Sequence, residues 1–76
     1  MIVHYLDNEI EVEQIKFARL SSGVSLGLFR IVDSRSKYTG KYLVLVKRGR
    51  DVLHHVRFHQ CENAAGCFLE YLCRYV

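Results

Sequence analysis

Along residues 51–59, Val52, His54, Val56 and Phe58 alternate with Asp51, Leu53, His55, Arg57 and His59. A period of two predicts a strand with one covered face, because successive side chains point to opposite sides. Before it, residues 41–48 read Tyr-Leu-Val-Leu-Val between charged ends, apolar on both faces, as a central strand should be. Gly49-Arg50 joins the two as a two-residue hairpin connection. Residues 24–32 form a third strand, and the polar loop 33–40 links it to the central one.

The stretch 63–76 has a different period. Polar residues hold only a narrow stripe, Asn63, Glu70 and Arg74. At about 100° per residue, Phe68, Leu72, Ala65 and Tyr75 form the centre of an apolar face. Cys67 and Tyr71 widen it on one side, and Leu69, Cys73 and Val76 on the other. A surface helix needs an apolar stripe of roughly 100°. This helix has about twice that, and the excess calls for cover.

The N-terminal third predicts a short strand over 2–6, a turn at Asp7-Asn8 and a second strand over 9–20. Asn8 and Glu11 have capping-box spacing, so a helix is the alternative for 9–20. Ile10, Val12, Ile15, Phe17 and Leu20 scatter around a helical projection, which favours the strand. Ile10 and Val12 share one strand face, Ile15 and Phe17 the other, and a bulge near Glu13 reconciles them. Ser21-Ser22-Gly23 is a turn.

The fold class is therefore α+β: one domain over 1–76, an antiparallel β-meander of four to five strands with one C-terminal α-helix packed on one face. Pairing through Gly49-Arg50 without irregularity puts Leu43 and Leu45 on a face with Val52, His54, Val56, Phe58, Phe29 and Ile31. The helix is expected there. The opposite face collects Leu26, Leu28, Val32, Tyr42, Val44, Val46 and Leu53. One helix cannot cover both, so either the sheet curls with help from the N-terminal segment or a second chain covers the rest. Self-association is expected through Leu69, Tyr71, Cys73 and Val76, giving a homodimer.

With 76 residues, half of them hydrophobic and no proline, the composition is that of a small globule and not of a disordered segment. No apolar run reaches the roughly 18 residues of a membrane span, and no secretory signal pattern opens the chain. Three cysteines in C-x5-C-x5-C spacing match no common disulfide framework and suggest reduced thiols in a cytoplasmic setting.

His54, His55, His59, Cys61, Cys67 and Cys73 are the residue types zinc prefers, but without paired ligand spacing they are expected to pack structurally. No metal, cofactor or catalytic residue is assigned. Cys61 beside His59 lacks an orienting group, and Glu9, Glu11 and Glu13 are expected as an exposed acidic edge. The net charge of +3 is mild. Arg35, Lys37 and Lys41 cluster at one hairpin end with Tyr38 and Tyr42 nearby, and Lys47, Arg48 and Arg50 at the other. Cations among aromatics can grip acidic groups of a protein or phosphates of a nucleic acid.

The expectation is a non-enzymatic protein-binding or regulatory protein whose contacts include Arg35, Lys37, Tyr38, Lys47, Arg48 and Arg50. Nucleic-acid binding by the same hairpin ends is the alternative. In size and layout the chain resembles small proteins encoded by phages and mobile elements, some of which inhibit host complexes by binding them. That resemblance implies a viral type of inhibitor acting on a larger host assembly.

Overall fold

The computed structural model describes residues 1–5 and 8–76. Five antiparallel strands pair in chain order: β1 (Ile2–Tyr5), β2 (Asn8–Arg19), β3 (Val24–Ile31), β4 (Tyr42–Arg48) and β5 (Asp51–Phe58), followed by the helix α1 (Cys61–Tyr75). The expected meander with a C-terminal helix is what forms. The expected strand end at Leu6 and turn residue Asp7 lie outside the described residues. β2 ends at Arg19, and the helical alternative for 9–20 does not form.

Two bulges decide which side chains face which way. In β2, Gln14 opposes Phe29 and Lys16 opposes Leu28, leaving Ile15 without an opposite number. The bulge expected near Glu13 thus lies at Ile15. It bends β2, so that β1 and the first half of β2 curl over one face of the sheet. Val3, Ile10 and Val12 close there on Phe29, Ile31, Leu43 and Leu45, all buried.

The second bulge was not expected. In β5, Lys47 opposes Val52 but Val46 opposes His54, so Leu53 is the extra residue. A one-residue slip sends every later side chain to the other face. Val52 packs with Leu43 and Leu45, whereas Leu53 and Phe58 pack with Val44 and Val46. The expected helix face was therefore wrong. α1 covers Val24, Leu26, Leu28, Val44 and Val46, with Ala64 and Phe68 buried at the centre of the contact. The Leu43–Leu45 face is covered by the chain's own N-terminal hairpin. The layers are thus hairpin, central sheet and helix. Burying each large side chain contributes roughly 1.5–3 kcal/mol before chain entropy is set against it.

α1 begins at Cys61, two residues before the apolar pattern. Gln60 stands at its N-cap and makes no side-chain capping bond. Glu62 in the first turn and Arg74 in the last complement the helix dipole. Without a cap, a helix of this length depends on packing for its stability.

Candidate binding surface

The loop after β3 is tied down from inside. The buried Asp33 carboxylate accepts the Glu11 backbone N–H at 3.3 Å and the Arg35 backbone N–H at 2.9 Å. The Arg35 guanidinium adds an ion pair at 3.3 Å. These bonds, the Arg35 side chain first, hold the Asp33 carboxyl below the usual carboxylate range. Further along, Ser36 Oγ accepts the Tyr38 N–H at 3.1 Å, and Lys41 N–H donates to the Tyr38 carbonyl at 3.0 Å. Gly40, at φ +84°, takes a left-handed turn that suits glycine and donates to the Ile31 carbonyl. The loop is thereby tied down where it carries Tyr38, whose half-buried ring rests against the Leu43 face of the core.

Three cations converge on that ring. The Arg57 guanidinium lies 3.9 Å from its centroid, Lys37 Nζ 5.2 Å and Lys41 Nζ 5.6 Å. Arg57 gets there because β5 pairs it with Leu43, on the face opposite the helix. Arg35 and Arg57 also line a shallow, open concavity of about 570 Å³. Glu9 shares it and lies 3.5 Å from His4. Each cation–aromatic contact contributes about 0.5–1 kcal/mol at an exposed site, while the like charges repel one another. An anion bound among them relieves that repulsion.

The remaining expected contacts do not join this cluster. Arg48 and Arg50 are exposed at the β4–β5 hairpin, the other end of β4. Lys47 turns toward the N-terminal hairpin, where its Nζ donates to the His4 carbonyl at 3.3 Å. Tyr42 packs on the helix side and is not beside Tyr38. Sequence reasoning missed Arg57, because a regular β5 puts it on the face of Tyr42, Val44 and Val46, away from the Leu43 side. It also missed Asp33, whose only signal was an acidic residue followed two positions later by arginine at a strand end.

On the helix, Leu69, Cys73 and Val76 are exposed, Leu69 by 52%. Tyr71 is not part of that flank. Its ring stacks on His54 with centroids 4.9 Å apart, and Arg74 lies 5.3 Å from it. His54 Nε2 is also within 2.9 Å of the Tyr75 hydroxyl. Cys61 and Cys73 are exposed free thiols, and burial raises the Cys67 thiol above its ordinary value. Among the described residues, no three His, Cys, Asp or Glu side chains are grouped as metal ligands would be. Glu9, Glu11 and Glu13 do not pair with each other. Glu11 meets the Met1 amine at 3.0 Å, and Glu13 meets Arg30 at 3.8 Å. Among the described residues, no helix is long and apolar enough to cross a membrane. Comparison of the chain with protein-family models, with curated proteins and with solved structures finds no match.

Proposed function

We propose that this protein is a non-enzymatic binding module that recognises an acidic surface of a protein partner through the Tyr38 cluster. The observation that supports it is the convergence of Arg57, Lys37 and Lys41 on one half-buried tyrosine in a braced loop. The ring is engaged by its own cations and by the core. It therefore serves better as a platform for positive charge than as a stacking surface for bases. Carboxylates on a folded partner fit such a platform, and charge complementarity of this kind mainly accelerates and orients association.

In its finer form the proposal makes the partner a larger host complex that the protein inhibits. That part rests on the resemblance in size and layout to small phage-type proteins. A homodimer through Leu69, Cys73 and Val76 belongs to the same proposal. One of its two motives has gone, since the chain's own hairpin covers the second sheet face.

The test is affinity capture from nuclease-treated native lysate with the wild type and with Lys37→Glu/Arg57→Glu, each first shown to be folded by circular dichroism. Specific protein partners retained by the wild type and lost by the variant are the expected result. Binding to generic DNA and RNA that survives in purified form and falls steeply with salt would overturn it in favour of phosphate recognition.

A further inference from the structure

β1 is an edge strand, and its outward backbone groups can be assigned. The Val12 N–H donates to the Met1 carbonyl at 2.8 Å, and Val3 stands opposite Ile10. Hydrogen-bonded pairs alternate along an antiparallel ladder. Val3 therefore bonds to β2, and Ile2 and His4 direct their N–H and C=O groups away from it. The Lys47 ammonium on the His4 carbonyl independently marks that outward direction.

Beside this edge runs a groove of about 250 Å³ between β1 and the central sheet. Phe17, Phe29 and Leu45 line it, and Met1 and Ile2 form its near wall. Phe17 is 47% exposed and Met1 and Ile2 at least as much, three of the largest apolar side chains left in water. At one end stands Lys47, in a cross-strand row with Ser25 and the exposed Arg19. The groove lining holds no aspartate or glutamate among the described residues. A short edge strand guarded by lysine is also a way of preventing unwanted pairing. Protection does not call for exposed apolar side chains beside the edge.

We infer that the β1 edge and this groove take an extended segment of a protein partner, apolar at the alternate positions that face the groove and acidic at the end that reaches Lys47, as a sixth strand. Main-chain bonds to Ile2 and His4 hold the segment. Its groove-facing side chains cover the exposed Phe17, and a carboxylate at that end meets Lys47 and Arg19. Strand addition of this kind combines backbone affinity with side-chain pockets at every second residue. The site is separate from the Tyr38 cluster, so either proposal can fail without the other.

The test is selection of a displayed library of random twelve-residue peptides on the full chain, with counter-selection on Phe17→Asp. Enriched peptides should carry apolar residues at alternate positions and an Asp or Glu at one end of that run. A synthetic copy should bind at least tenfold more weakly to Lys47→Glu, and lose binding when its alternate backbone nitrogens are methylated. It should slow hydrogen exchange at the Ile2 and His4 amides. Lys37→Glu/Arg57→Glu should leave its affinity unchanged. Both groove variants alter surface side chains, and unchanged melting temperatures confirm their folding. No enrichment over Phe17→Asp, or indifference to N-methylation, overturns the inference. Protection of the same amides that grows with protein concentration alone does so too, by making a second copy the occupant.

Discussion

A methyl group added at Gly27 would overlap the Phe29 ring, which lies across it in the core. Gly27→Ala should therefore cost about 1–3 kcal/mol in chemical denaturation, as overpacking does. Phe29→Leu in the same chain should recover part of that loss. Gly66 is the opposite case. It is exposed in mid-helix with open space around its would-be Cβ, so Gly66→Ala should add about 0.5–1 kcal/mol. Asp33 makes a pH prediction. Its carboxyl is held down in the folded protein by Arg35 and two backbone N–H groups. A depressed carboxylate stabilises fully above its unfolded value of about 3.9 and stops doing so as pH falls through the folded one. The denaturation midpoint should fall on acidification from about pH 5 to about pH 3, and fall less in Asp33→Asn.

At the scale of elements, the bulge at Leu53 sets the sheet's sidedness. Deleting Leu53 would make β5 regular and leave His54, Val56 and Phe58 opposite Val46, Val44 and Tyr42, on the helix side. The deletion should therefore retain cooperative unfolding by circular dichroism, at a stability lowered by the loss of the Leu53 side chain from the helix-side core. α1 has no side-chain cap and relies on Phe68 and Ala64. Phe68→Ala removes the buried anchor at a cost of about 3–5 kcal/mol. A domain of this length has only about 4–11 kcal/mol in total, so this variant should be largely unfolded near 37 °C.

The whole molecule is a slab of 34 × 26 × 16 Å with its positive charge divided among separate places. The Tyr38 cluster, the Arg48–Arg50 hairpin and the Lys47 groove can be varied independently. Charge reversal at Lys37 and Arg57 should slow association with an acidic partner, with little effect on dissociation. The same reversal at Arg48 and Arg50 should do less. Self-association now rests on the helix flank. Sedimentation at several hundred micromolar should show dimer that Leu69→Glu reduces, and purely monomeric behaviour there would remove the homodimer from the proposal.

Short-range periodicity determined the elements by itself. The alternation in β5, the doubly apolar β4 and the wide stripe of α1 are covalent spacings that read the same in any tertiary context. They gave an α+β meander with a terminal helix, and they marked Tyr38 with Arg35 and Lys37 as one basic end. What the periodicity left open depended on single-residue slips. A bulge adds one residue and no composition, so nothing local announces that Leu53 is unpaired and that His54 then faces the helix. The face that α1 covers and the arrival of Arg57 over Tyr38 follow from that slip. Covering the other face was likewise a long-range matter. It needed β2 to bend at Ile15 and bring Val3 and Ile10 onto Leu43 and Leu45, contacts fixed by competition for buried area among residues far apart in the chain.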